Sequence, residues 1–253
     1  LHYPLRRQRQ MCIRDRKDGQ KIHLIQTGWF ANDWVKEAFV EEGKRICPDV
    51  IFHFLDGKDQ ANKHKTLASA DIFVSLSDNI QETFGLTPLE GMASGIPVVV
   101  SDWDGYRDTV RDGKDGFRIS STTMHPGSGY EYAIRYNLGV DNYDHYIGRT
   151  SQTVSINISE CIEKIKLLAS DKDLRFKLGK NAKKRAQDFE WSKIIDSYKK
   201  LKSELDIKRD FSIKNNEKFL KPIRIQDPYT FFNDYASFRI NKNTVISRCE
   251  GCL

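Results

Sequence analysis

From Lys21 onward the sequence alternates short β-rich runs with longer stretches of helical period, and few architectures accept that order. Strand-length runs separated by helices pair in parallel, with the helices packed on the two faces of the sheet. Strands are expected over residues 22–26, 50–55, 72–75, 98–101 and 116–119, and helices between them over 32–46, 63–69, 86–93 and 105–110. Each strand is nearly continuous in apolar residues rather than alternating, as a strand covered on both faces should be. The fold class read from this order is α/β, a Rossmann-like parallel sheet with helices on both faces. Ligands in such sheets sit beyond the carboxyl ends of the strands, which directs the search to the loops after Ser75 and Ser101.

The rhythm breaks over residues 120–155, where Gly, Tyr, Asn and Asp occur without a clear period, and a long loop or small insertion is expected. Helical patterns resume over 158–169, 172–187 and 191–205, a helical C-terminal region, and Asn157 with Glu160 three residues later fits a capping box. From Asp206 the chain turns charged and then aromatic at Tyr229, Phe231, Phe232, Tyr235 and Phe238, which reads as a small packed appendage in preference to an interaction surface. The expected organisation is a leader at 1–16, non-native or disordered, a ligand-binding domain at 17–205 and an extension at 206–253.

Composition bounds the function classes. With 39% hydrophobic residues in 253, the chain can bury a core, and its longest apolar runs, such as 51–55 and 96–100, are strand-length. A membrane-spanning helix needs about 18 or more apolar residues. The net charge of +6 is concentrated at the start: Arg6, Arg7, Arg9, Arg14 and Arg16 against Asp15 place +4 in the first sixteen residues. The other 237 residues carry +2, so no basic field speaks for nucleic acid. That leader has no apolar core or small-residue cleavage site, and five cysteines, an odd number, fit a reducing cytosol. Cys249 and Cys252 form one C-x-x-C with no second pair at zinc-site spacing, so no metal is expected. The matches Asp102-Trp-Asp104 and Asp171-Lys-Asp173 to D-x-D are too short to change that.

The chemistry-bearing segment runs from Ser75 to Asp102. A buried strand ends at Ser75, a polar loop follows, and Glu82 stands before a helix whose start is marked by Gly85 and Pro88. Orphan N–H groups and the positive dipole end make this start a seat for phosphate, with Gly85 allowing close backbone approach. Glu90 follows Glu82 by about two helical turns, so two carboxylates flank one groove. A carboxylate accepts paired hydrogen bonds from vicinal hydroxyls, which suits a ribose or a hexose. The alternative is that both are solvent-facing helix acids, Glu82 favoured only by the dipole.

The surroundings of this pair carry a resemblance. Glu82-x(7)-Glu90 with Phe84-Gly85-Leu86 inside it, Glu90-Gly-Met-Ala after it and Gly95-Ile-Pro97-Val-Val closing onto the next strand resembles the signature of glycosyltransferase family 4. Ala70-Asp71-Ile-Phe-Val-Ser upstream, Asp112-Gly113-x-x-Gly116-Phe downstream and Phe189-Glu-Trp191-Ser are similar to that family's flanks. The resemblance covers about residues 21–205 and implies the C-terminal donor-binding domain of a two-domain GT-B fold and a retaining hexosyltransferase. Glu82 would then hold the transferred sugar's hydroxyls as the catalytic carboxylate, Glu90 the ribose, and the N–H groups of Phe84, Gly85 and Leu86 the diphosphate. Thr83, Asp104 and Gly105 complete the implied donor-binding set.

No cofactor is implied beyond the nucleotide-diphosphate sugar itself. The implied acceptor is a sugar, a lipid-linked sugar or a polysaccharide in cell-envelope synthesis, the location cytoplasmic or peripheral at the membrane. The family shows two glycines and then a Glu where this chain has Asp104-Gly105-Tyr-Arg-Asp108, and Arg107 is a candidate cation in that loop. The family also takes an Arg and a Lys from the first strand-helix unit of this domain and holds the acceptor on an N-terminal domain. Neither is matched here, so the chain is expected to fold but to transfer sugar poorly. The competing readings are a non-catalytic nucleotide-sugar-binding module and a nicotinamide-binding domain, the latter opposed by the lack of G-x-G-x-x-G near Gly28.

Overall fold

A computed structural model describes residues 21–30, 32–214 and 224–246. The leader at 1–16 and the Cys249–Cys252 pair lie outside the described residues. Strand β1 (Ile22–Gly28) is followed by α1 (Asp33–Ile46), β2 (Val50–Asp56), α2 (Gln60–Ser69), β3 (Phe73–Ser75), α3 (Leu86–Ala93), β4 (Val98–Ser101), α4 (Tyr106–Thr109) and β5 (Gly116–Ile119). The alternation of strand and helix is the expected one, and α3, β4 and β5 have the expected bounds. Local signals set the helix starts: Asn32 accepts from the Val35 N–H and Asp59 from the Ala61 N–H, each N-capping the helix it precedes.

All pairing in this region is parallel, but it forms two sheets where one was expected. β1 pairs with β2, β3 with β4 and β4 with β5, and among the described residues no strand bridges β1 and β3. Coverage follows the division. β4 is buried along its whole length, Val98 and Val100 facing Leu89, Met92 and Ala182, and Val99 facing Phe117, Cys161 and Leu178. β1 and β2 are half-exposed for most of their length, with Ile22 and Ile51 open to solvent, so the expectation that both faces of every strand are covered fails there. Among the described residues α1 and α2 are the helices packed on this pair: Gly43 of α1 abuts the Phe52 ring, and Thr66 of α2 meets Thr27 at 2.7 Å.

Of the two forms expected for residues 120–155, a long loop or a small insertion, the structure has the structured insertion. It holds β6 (Ser121–Thr123), α5 (Tyr130–Asn137) and α6 (Tyr143–Gln152), and leads into β7 (Ser155–Ile156). Asn142, one of the polar residues that suggested a loop, caps α6 by accepting from the His145 N–H at 2.9 Å. Then come α7 (Ile158–Ser170), α8 (Lys172–Ala186), a 3-10 turn (Gln187–Phe189), α9 (Trp191–Lys214), α10 (Pro228–Phe231) and β8 (Phe238–Arg239). The capping box at α7 is half made: Asn157 accepts from the Glu160 N–H at 3.1 Å, but the Glu160 carboxylate turns to Ser120, taking its N–H and hydroxyl.

The segment 224–246 is woven into the 120–155 insertion. β8 pairs with β6, the Tyr146 hydroxyl donates to the Gln226 carbonyl, and Asp227 accepts from the Gly127 and Gly129 N–H groups. Together they enclose a third core of Tyr146, Ile147, Val154 and Ala236, which also takes Ile80 and Trp103 from the loops after β3 and β4. No helix among the described residues is long and apolar enough to cross a membrane.

Candidate functional site

The site forms where β3 and β4 end. Ser101 closes β4 and donates to the Ser77 carbonyl at 2.5 Å, drawing the two outgoing loops together. Asn79 then makes a turn, its side chain accepting from the Gln81 N–H and its carbonyl from the Glu82 N–H. The same carbonyl takes the indole N–H of Trp103 at 3.0 Å, and Ile80 is buried in the third core. The loop carrying Glu82 is therefore held from two sides, by β4 and by the lobe built from the insertion and the extension.

Gly85 precedes α3 with φ 73°, and no side chain caps the helix start. The first N–H groups of a helix have no partner within it; around this start Thr83, Phe84 and Leu86 are exposed, while Gly85 itself is buried. The positive φ and the close approach of Tyr106 both require glycine here: a Cβ on Gly85 would stand 2.0 Å from the ring carbon Cε1 of Tyr106. Phe84 anchors the turn on its other side through an edge-on contact with Phe189, over whose ring lies the Arg185 guanidinium. This is the structural use of the late aromatic motif beginning at Phe189.

Of the residues singled out by sequence, the structure brings Gly105 directly against the turn. A Cβ there would lie 2.0 Å from the Thr83 carbonyl oxygen and 2.8 Å from Phe84 Cα, so only glycine lets the loop after β4 abut this backbone. Asp104, where the family pattern has glycine, keeps a positive φ of 30°, strained for a side-chain-bearing residue. Its N–H donates to the Tyr235 carbonyl, and its carboxyl, held above the usual range chiefly by burial, faces the Tyr235 hydroxyl and the Gly105 N–H. Asp104 is thus engaged with the C-terminal segment. Glu82 is half-buried beside the turn, and Glu90 is half-buried and ion-paired with Lys63 of α2.

Arg107 is not a free cation. Its guanidinium donates to the Asp102 carboxylate and to the Asp102, Asp234 and Tyr235 carbonyls, fastening the C-terminal segment to the β4 loop. Asp102 in turn meets Arg118 and accepts from the Ser237 hydroxyl, while Asp171 caps α8 through the Leu174 N–H. Both D-x-D matches therefore have structural uses.

Two site residues carried no assigned role in the sequence. The Tyr106 hydroxyl lies 3.0 Å from Ser75 Oγ at the end of β3, and Ser77 and Glu82 also face it. Burial above all, with the Glu82 charge adding to it, pushes the phenol up to about 12. Lys63 reaches Glu90 across 27 residues of sequence. An aromatic residue directly after Gly105 was the one available signal for Tyr106; nothing local marks Lys63.

Residues 47–125, which contain this site, match the family model of glycosyl transferases group 1. A phosphatidyl-myo-inositol mannosyltransferase of Mycobacterium leprae is 44% identical over 67 residues, 26% of this chain and 17% of that protein. A sulfoquinovosyl transferase of Arabidopsis thaliana is 28% identical over 147 residues, 57% of this chain and 21% of the relative. Among solved structures, an Anabaena protein in complex with UDP-glucose superposes with a TM-score of 0.51 at 20% identity, covering 80% of this chain and 45% of that one. Sucrose-phosphate synthase from Thermosynechococcus elongatus gives 0.50 at 18% identity, covering 80% and 42%. The chain thus spans less than half the length of these structures and about a fifth of the curated relatives. It has the α/β fold of GT-B glycosyltransferases, with a helical C-terminal region.

Proposed function

We propose that this chain, matched over residues 47–125 by the group 1 glycosyltransferase model, binds a nucleoside-diphosphate sugar and serves as the donor-side half of a retaining hexosyltransferase. The observation that carries the reading is the start of α3, which no side chain caps and where Thr83, Phe84, Leu86 and Thr87 are exposed around the buried Gly85, with Glu82 before it and Glu90 within the helix. Oriented N–H groups of Phe84, Gly85 and Leu86 stabilise the charge that gathers on a departing diphosphate, and they do so without reorganising. This chemistry needs no metal. Glu82 holds the sugar's hydroxyls near the reacting carbon, Glu90 the ribose, and Thr83, Asp104 and Gly105 line the approach. That a fold relative is crystallised with UDP-glucose supports a nucleotide-sugar guest of this kind.

In this reading the acceptor is a sugar, a lipid-linked sugar or a polysaccharide of the cell envelope, presented at the cytoplasmic face of a membrane. Transfer needs both reactants held in attack geometry. Calorimetric titration with UDP-, GDP- and ADP-glucose and the matching free diphosphates tests the proposal. Binding of one sugar nucleotide is expected, and Glu82→Gln should weaken it about 10-fold or more while leaving the free diphosphate within about 3-fold, since a hydrogen bond to a charged group contributes about 1.5–3 kcal/mol. Equal losses for both ligands would instead favour a non-catalytic binding module, and no binding by any of the three would sink the reading.

A further inference from the structure

The Lys63–Glu90 pair joins the two halves of the molecule. Lys63 stands on α2, which packs over β1 and is tied to it through Thr66 and Thr27. Glu90 stands on α3, whose buried residues Leu89 and Met92 close one face of the β3–β4–β5 sheet. α1 leads from β1 to β2, and α2, packed against β1, leads from β2 to β3. In parallel α/β sheets a nucleotide lies outside the carboxyl ends of the strands. Lys63 comes to the pair from the β1–β2 side and Glu90 from the β3–β4–β5 side.

Lys63 Nζ meets Oε1 of Glu90, and among the described residues no donor is bonded to Oε2. A carboxylate has about four lone-pair sites, so one ammonium contact leaves room for two hydroxyls. It also fixes the side chain in one rotamer before a ligand arrives, removing an ordering cost that a free glutamate meets on binding. We propose that Lys63 is a specificity-determining positioning residue: by holding Oε1 it presents the rest of the Glu90 carboxylate to the vicinal hydroxyls of a ribose and makes binding depend on an intact ribose. The inference rests on the reading of Glu90 as the ribose-binding acid.

The test uses the 253-residue chain and calorimetric dissociation constants for UDP, GDP and ADP, then for the 2′-deoxy counterpart of whichever binds. The wild type is expected to prefer the ribonucleotide by about 10-fold or more. Lys63→Met should reduce that preference to about 2-fold, Lys63→Arg should keep most of it, and the melting temperature of each should stay close to wild type because the pair is about one-third exposed. A ribose preference lost in Lys63→Met together with an unchanged melting temperature is a result that a merely structural ion pair does not produce. Should Lys63→Met keep the full preference while Glu90→Gln abolishes it, the role given to Lys63 is overturned and the ribose reading stands. Unchanged preference in Glu90→Gln, equal wild-type binding of both sugars, or no nucleotide binding overturns the ribose reading and this inference with it.

Discussion

Tyr106 connects three parts of the site through one side chain: its ring covers Gly85, its hydroxyl meets Ser75 at the end of β3, and Glu82 faces the same oxygen. Replacing it with Phe keeps the ring and removes the hydrogen bonds, which should cost about 1 kcal/mol. Its ionisation gives a second measurement. Burial raises the phenol to about 12, and the Tyr229 and Tyr235 phenols are raised to about 12 by the same cause. The unfolded value is about 10. The folded state therefore holds these protons more tightly, so stability is flat below about pH 10 and falls as the pH rises towards 12. A series of denaturant melts should show that decline, shallower in Tyr106→Phe; an equally steep decline in the variant would mean that the Tyr106 proton is not linked to folding. Glu82 and Gly85 were singled out in the sequence by the helix start they mark, and Gly105 only through the family resemblance. Tyr106 was not, since its partner Ser75 lies 31 residues away and no periodicity encodes that contact.

At the scale of elements, the 120–155 insertion and the C-terminal segment form one lobe, hidden from a local reading for a physical reason. α5 and α6 are 8 and 10 residues long, too short for a helical period to stand out, and their apolar residues find partners far along the chain. Tyr132 packs edge-on against Tyr229, and the Tyr146 hydroxyl reaches Gln226 across 80 residues. Asp227 locks the two segments together. It is nearly buried and accepts from the N–H groups of Gly127, Gly129 and Thr230 and from the Thr230 hydroxyl. Asp227→Ala leaves those donors without their acceptor, a loss of about 2–4 kcal/mol. The lobe's core includes Ile80 and Trp103, so the damage should extend to the Glu82 loop. Hydrogen exchange should show α5, α6 and the 79–82 turn losing protection while α7 and α8 keep theirs; uniform loss across the chain would mean that the lobe is not a separate cooperative unit.

Across the whole molecule, stability follows the division between the two sheets. β4 is enclosed on both faces and paired on both edges, and its uninterrupted apolar run made it legible to the residue. β1, IHLIQTG, is apolar at Ile22, Leu24 and Ile25 and also read as a strand covered on both faces, yet among the described residues it pairs on one edge and remains half-exposed. Sequence reports what a strand is able to bury; what covers it depends on neighbours that the strand's own residues do not encode. The β1–β2 pair removes less apolar surface from water per residue than β4, so it should open at a lower free energy than the sheet around β4. Native-state hydrogen exchange under rising denaturant tests this directly. Amides of β4 and β5 should exchange only through global unfolding, with a slope against denaturant equal to the equilibrium one, whereas β1 and β2 amides should exchange through a sub-global opening with a smaller slope. A nucleotide whose ribose sits on a Glu90 carboxylate still held by Lys63 would strengthen the tie between the halves, so saturating ligand should raise the β1–β2 protection towards that of β4; protection of β1–β2 already equal to β4 without ligand would show that the two sheets unfold as one unit.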